Sequence, residues 1–244
     1  MLSLGVIVAR GPSKRVPRKV LRPVLGVPLI GYMARAALAS RIDRVILSTE
    51  DDEIAEVGRG FGLDVPFSRP AELAGDFVCN DDVMLHALER VEQAEGVLYD
   101  VGVLLQPTAP FVLPRHIDAC LNTLGATDTP CCFTAKKVAE PPHWMFTTAD
   151  DGTVKLLLGG SLAGDRQHSQ KLPACYLPTG AAWAIRTSVL RKTRKTRRIY
   201  SEPLRITVME PDRAVDIDDP LDFVVAEAIA REFGFGLVPA TPCR

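Results

Sequence analysis

The chain opens on a short, β-branched-rich apolar run at residues 4–9, the pattern of a strand covered on both faces. It gives way at residues 10–19 to a loop dense in Gly, Pro, Lys and Arg. Helical spacing of apolar residues follows at 28–40, with Pro28 suited to the first turn. A second apolar strand is predicted at 44–48, and a helix at 51–61 whose acidic opening suits the positive end of its dipole. A further helix is predicted at 81–95, then a continuous apolar strand at 101–105 that ends in Gln106, Pro107 and Thr108. Strands alternating with helices at this interval predict βαβ units and right-handed crossovers. From about residue 130 the rhythm breaks. Residues 134–177 read as an insertion of short strands and turns, marked by Pro141-Pro142, Asp151-Gly152 and Gly159-Gly160. Strands at 180–185 and 204–209 and a closing helix at 220–233 complete the pattern.

Composition narrows this picture. The 244 residues, 47% hydrophobic and 24% charged, suit one α/β domain with a sizeable core. A net charge of −1 argues against a molecule built to lie on nucleic acid or an anionic membrane. The only strong charge run, RKTRKTRR at 191–198, has no interleaved aromatics and reads as a solvated surface loop. The first strand lacks a basic leader and a small-residue cleavage site, so it reads as a buried strand and not a signal peptide. No apolar stretch approaches the roughly 18 residues of a membrane span. The expectation is a cytoplasmic protein with neither a nucleic-acid nor a membrane partner. The six cysteines, Cys79, Cys120, Cys131, Cys132, Cys175 and Cys243, form no CxxC pair and read as free thiols, mostly buried.

Three groups of residues could carry chemistry. Arg10, Gly11, Ser13, Lys14, Arg15, Arg18 and Lys19 directly follow the first strand. In an open α/β sheet ligands bind at the carboxyl ends of strands, and a loop of cations and backbone N–H groups there suits a triphosphate. The loop matches neither GxGxxG nor GxxxxGK[ST]. Gln106 ends another strand, and its amide can both donate to and accept from a polyhydroxylated sugar. Asp216 and Asp218, two apart in an extended segment, place both carboxylates on one side, as Mg²⁺ requires of its oxygen ligands. Asp218 or Asp219 could equally cap the helix that starts near Pro220. His86, His116, His143 and His168 show no ligand spacing, and Ser13 and Ser48 show no readable base partner.

Together, VIVARGPSKRVPRKVLRPVLGVPLI, RVILSTEDDEIAEVGRGFGLDVPFSRPAELAGD, VLLQPTAPF and AVDIDDPLDF resemble the acylneuraminate cytidylyltransferases in order, over nearly the whole chain. That family includes the synthetases for CMP-sialic, legionaminic and pseudaminic acids. The resemblance implies a Rossmann-like, mostly parallel sheet with helices on both faces. It also implies a small inserted dimerisation subdomain at about 134–177 and a homodimer. The implied reaction is Mg²⁺-dependent attack of the sugar's anomeric hydroxyl on the α-phosphate of CTP, giving a CMP-sugar and pyrophosphate with no covalent enzyme intermediate. By the same resemblance, the phosphate-binding loop is Arg10, Gly11, Ser13, Lys14 and the catalytic Lys19. Arg69, Asp76 and Asn80 fall on the nucleotide side, Gln106, Thr108 and Thr179 on the sugar side, and Asp216 and Asp218 are the catalytic, metal-binding pair.

The chain departs from the family pattern at Val20 and Cys79-Asn80, which leaves a guanylyltransferase open beside the cytidylyltransferase reading. Thr179 stands where the family has Asn, and Ser169 where it has Arg, so the choice among acidic nine-carbon sugars stays open. A Kdo cytidylyltransferase resembles the chain less, because its first loop runs STRLPGKPL where this one has SKRVPRKVL. A non-catalytic nucleotide-sugar binder is the alternative from another class.

Overall fold

The computed structural model describes residues 1–161, 168–192 and 198–235. Its strands are β1 (Ser3–Val8), β2 (Pro23–Val24), β3 (Val27–Pro28), β4 (Arg44–Ser48), β5 (Val101–Leu105), β6 (Cys131–Lys137), β7 (Phe146–Thr148), β8 (Val154–Leu156), β9 (Tyr176–Arg186) and β10 (Leu204–Val208). The α-helices are α1 (Leu29–Leu38), α2 (Asp52–Gly60), α3 (Asn80–Glu95), α4 (Pro114–Ala126), α5 (Thr187–Leu190) and α6 (Pro220–Phe233).

Six strands form one sheet in the order β10-β6-β9-β5-β1-β4. β1 pairs parallel with both β4 and β5, and β10 parallel with β6, while β9 runs antiparallel between β5 and β6. Alternation along each strand divides the core. Ile7, Val45, Leu47, Val103 and Leu105 meet apolar residues of α1, α2 and α4 on one face, while Leu4, Val6, Ile46 and Leu104 meet α3 on the other. A third cluster packs α6 against α1 through Leu29, Tyr32, Phe223 and Ala226. This is the expected Rossmann-like, mostly parallel sheet with helices on both faces. The chain crosses to opposite sides of β1 when it forms β4 and then β5. That reversal opens a crevice at the carboxyl ends of β1 and β5.

Local chemistry accounts for several boundaries. Asp51 stands outside α2 as its N-cap, its carboxylate accepting from the Ile54 N–H at 3.0 Å. Asp219 caps α6, accepting from the Leu221 N–H at 2.9 Å, with Pro220 at the first helical position. Besides the short β2, β3 and α5, the helix α4 and the strand β6 lie outside the sequence pattern described above. Arg186, at the end of β9, ties them together by donating to the Leu124 and Thr127 carbonyls at the α4 carboxyl end, at 2.7 and 2.8 Å. Residues 135–137 of β6 pair with residues 176–178 of β9 in the main sheet, so the segment that connects these strands is 138–175. It holds the β7–β8 hairpin, whose turn contains Gly152 at φ 82°. The five described cysteines are free; Cys120, Cys131 and Cys132 are buried, Cys79 is exposed and Cys175 is in between. Cys243 lies outside the described residues, as does most of the 191–198 charge run. Its first residue, Arg191, is paired with Glu92 at 2.6 Å. Among the described residues no helix is long and apolar enough to cross a membrane.

Candidate active site

A cleft of about 680 Å³ opens where the fold predicts it, at the carboxyl ends of β1 and β5. Arg10, Ser13, Lys14, Lys19, Arg69, Asp76, Asn80, Gln106, Thr108, Asp216 and Asp218 all line it, as do Arg15, Val20 and Phe77. Gly11 and Thr179 do not line it.

The loop after β1 is pinned from several directions. The Gly11 N–H donates to Glu50 Oε1 at 2.8 Å, and Arg69 donates to Glu50 Oε2 at 2.5 Å and to the Ala9 carbonyl at 2.6 Å. A side chain at position 11 would collide with the Asp51 carboxylate, so this close approach favours glycine there. Arg69, 4% exposed, is thus committed to the wall of the cleft. Arg18 pairs with Asp51 and Glu53 outside the cleft lining, while the loop's other cations meet the cleft's own carboxylates. Arg10 Nη1 lies 3.0 Å from Asp76 Oδ1 and Lys14 Nζ 2.5 Å from Asp76 Oδ2. Arg15 Nη2 lies 3.1 Å from Asp218 Oδ2, and Lys19 Nζ 3.0 Å from Asp218 Oδ1. The Lys14 hydrogen bond and charge, reinforced by Arg10, hold the Asp76 carboxyl below its usual range. On the far side of the loop α3 begins at Asn80, and Cys79 at its N-cap supplies no side-chain hydrogen bond. The first turn of α3 itself carries Asp81 and Asp82, whose charges suit the positive end of its dipole.

The two aspartates owe their placement to the residue between them. The Ile217 N–H donates to the Thr108 carbonyl at 2.8 Å, and its side chain is buried in the cluster around α6. With Ile217 turned inward, Asp216 and Asp218 face the cleft together. Their environments differ. Burial pushes the Asp216 carboxyl up; a Thr108 hydrogen bond opposes this and the Asp218 charge adds to it. Burial would raise Asp218 too, but the Lys19 hydrogen bond and charge, with Arg15, bring it below its usual value. Two carboxylates in one cleft are oxygen ligands of the type a hard divalent ion takes, with no third acidic, His or Cys side chain grouped with them among the described residues.

β9 enters the site through Gly180, at φ 75°. A Cβ there would lie 3.0 Å from Gln106 Oε1 and 3.5 Å from Asp216 Oδ2. Gly180→Ala is expected to lower kcat/KM at least tenfold and the melting temperature by a few degrees, because a left-handed backbone costs a side chain about 1–2 kcal/mol. Steady-state kinetics beside a thermal melt check it. Thr179 is buried beside Gly180, its hydroxyl 2.8 Å from the Thr134 hydroxyl and 3.2 Å from the Thr134 carbonyl. It braces β9 against β6.

The segment carrying the aspartates is anchored upstream by Glu210, which pairs with Arg115 at 3.0 Å and with His116 Nε2 at 2.8 Å. Since His116 Nδ1 accepts from the Leu113 N–H, Nε2 carries the proton toward Glu210. Hydrogen bonding by its own backbone N–H, then by Arg115, lowers Glu210 to about 2 from an ordinary 4.5. A depressed carboxyl stabilises the fold above its unfolded value, and that contribution fades as pH falls toward the folded value. Glu210→Gln should therefore melt a few degrees below the parent at pH 7, with the gap narrowing between pH 5 and about pH 2. Because Glu210 is half-exposed, solvent screening keeps the effect small. Parallel melts across that range check it; an equal gap at every pH would contradict it.

Sequence reasoning placed Arg15 in the basic loop without giving it a role of its own, and did not assign Glu50, Phe77 or Gly180. Arg15 stood in the basic loop and Gly180 next to Thr179, so both signals were present. Phe77 was visible as an apolar residue beside Asp76, and Glu50 as the acidic residue that follows β4 by two positions.

A family model described as Cytidylyltransferase matches residues 4–156. The chain is 42% identical over 186 residues to a pseudaminic acid cytidylyltransferase of Campylobacter jejuni, covering 74% of this chain and 77% of the relative. It is 28% identical over 231 residues to a CMP-N,N'-diacetyllegionaminic acid synthase of Legionella pneumophila, covering 94% and 96%. A solved CMP:2-keto-3-deoxy-manno-octonic acid synthetase complexed with CTP shares the fold, at a TM-score of 0.67 and 18% identity, over 96% of this chain and 100% of that one. A matching family model over more than half of the chain, and a relative at this identity, establish that the protein is a nucleotidyltransferase belonging to the acylneuraminate cytidylyltransferase family.

Proposed function

We propose that the protein transfers CMP from CTP to the anomeric hydroxyl of an acidic nine-carbon sugar and releases pyrophosphate. The observation that carries this reading is the convergence of the basic loop, Gln106 and the Asp216–Asp218 pair in one cleft at the switch point of the sheet. Relatives named for pseudaminic and legionaminic acid support the sugar class. The anomeric oxygen attacks the α-phosphorus, the bond from that phosphorus to the bridging oxygen breaks, and pyrophosphate leaves with the electron pair. The hydroxyl proton passes to water. The protein's share is to position the two substrates and neutralise charge. Arg10, Ser13, Lys14, Arg15 and Lys19 bind the triphosphate, and the Gln106 amide meets the sugar.

Asp216 and Asp218 suit Mg²⁺, which takes one or two carboxylates and completes its shell with water and phosphate oxygens. When bound it would neutralise charge on the phosphate oxygens. Val20, 6% exposed, offers the base neither donor nor acceptor, which keeps GTP in view as the nucleotide. We further propose a homodimer through the segment between β6 and β9, where Met145, Phe146 and Val154 are exposed. The test of function is the product: CTP, Mg²⁺ and an acidic nine-carbon sugar should yield a CMP-sugar by mass spectrometry. A protein that binds nucleotide and forms no such product with any of these sugars would be a non-catalytic binder.

A further inference from the structure

Phe77 is 98% exposed, yet it lines the cleft. The other strongly exposed large apolar residues among those described, such as Phe146, Val154, Leu221 and Val224, lie elsewhere. A whole aromatic ring left in water at the mouth of a polar cleft is a large apolar area with no partner. Its neighbours say what could cover it. Asp76, the preceding residue, lies on Arg10 and Lys14 with its two carboxylate oxygens, the placement expected of a phosphate group. Three residues further on, Asn80 starts α3, also at the cleft. Phe77 therefore adjoins a cation pair suited to phosphate, and a nucleotide whose phosphates took that pair would find an exposed apolar ring beside it for its base and ribose.

We propose that Phe77 is a nucleotide-binding residue whose ring packs on the base-and-ribose end of the nucleoside triphosphate once phosphate oxygens replace the Asp76 carboxylate on Arg10 and Lys14. The inference rests on the proposed nucleotidyl transfer. A base stacks on an aromatic ring irrespective of its edge pattern, so this contact supplies affinity without reading the base. It complements Val20, which also lacks polar groups.

The experiment is calorimetric titration of the full chain with CTP and, separately, with inorganic tripolyphosphate, both with Mg²⁺. Phe77→Ala should weaken CTP binding roughly five- to a hundredfold and leave tripolyphosphate binding unchanged. Phe77→Tyr and Phe77→Trp should restore it, and Phe77→Leu should not. Because the ring is exposed, the melting temperature of Phe77→Ala should equal the parent's. In Phe77→Trp, emission of the new indole should shift on CTP addition, beyond any change in the unsubstituted protein. CTP bound equally well by Phe77→Ala, or rescue by Phe77→Leu as good as by Phe77→Tyr, overturns the inference, as does an unchanged indole at saturating CTP. If the unsubstituted protein binds no nucleoside triphosphate, the proposed function itself fails, a result distinct from these.

Discussion

Asp216→Ala is expected to lower turnover by roughly 10²- to 10³-fold or more, the range seen when one group that stabilises developing charge is removed. The structure shows why the loss should fall on chemistry and not on folding. The carboxyl is pushed above its usual range by desolvation and by the Asp218 charge, and supported by one Thr108 hydrogen bond. Removing such a group relieves desolvation and like-charge repulsion while leaving one hydroxyl without its acceptor. The melting temperature should stay within a few degrees of the parent's. Asp216→Asn preserves shape and should be as inactive, which isolates the charge as the cause. Parent-like turnover in either variant would remove Asp216 from the catalytic pair.

Lys19→Ala should produce the second largest effect, a fall in turnover on the order of 10²-fold. Lys19 comes from the loop after β1, yet it donates to the Ile217 carbonyl at 2.7 Å and to Asp218 at 3.0 Å, nearly two hundred positions further along. Its side chain is 13% exposed, which limits solvent screening on the lysine's side of the pair. One side chain thus ties the phosphate loop to the aspartate segment and brings positive charge to the phosphates. Lys19→Arg keeps the charge but changes reach and geometry, so it should recover part of the rate and no more. Steady-state kinetics on both variants, with far-ultraviolet dichroism to show intact helices, check this. Equal rates for Lys19→Ala and the parent would place the catalytic charge elsewhere, on Arg10, Lys14 or Arg15.

Much of this organisation could be read from local sequence. Strand β5 and helix α6 have the bounds that the apolar pattern predicts, because polar loops and the Asp219-Pro220 cap punctuate them sharply. Helix α1 starts at Leu29 and not at the predicted 28 because Pro28 pairs in the β2–β3 ladder and serves as the N-cap, and it ends at Leu38 with Ala39 as its C-cap. Helix α4 and strand β6 were not separated from their surroundings. The Cys131-Cys132 start of β6 lacks a strong β signature, and its end merges in composition with the segment that follows. The antiparallel course of β9 was likewise hidden, since strand direction depends on partners set by the tertiary fold.

The candidate site divides in the same way. Residues assigned by position after a strand, or by spacing of two, meet in the cleft: Arg10, Lys14, Lys19, Gln106, Asp216 and Asp218. Gly11 and Thr179 are beside the cleft's walls because of partners remote in sequence, Glu50 and Asp51 for the first and Thr134 for the second. No local pattern encodes such contacts. The pairing of Asp76 and Asp218 with the loop's own cations is also a tertiary result.

The most direct test of the account is pyrophosphate release with Mg²⁺, with CTP, GTP, UTP and ATP each offered beside N-acetylneuraminic, legionaminic, pseudaminic and Kdo acids. The account predicts release with CTP and one of the nine-carbon acids, and none when either substrate is omitted. Release with GTP alone would move the base preference to guanine, and release only with Kdo would move the sugar. No release with any pair, from a protein that still binds the nucleotide, would contradict the proposed transfer.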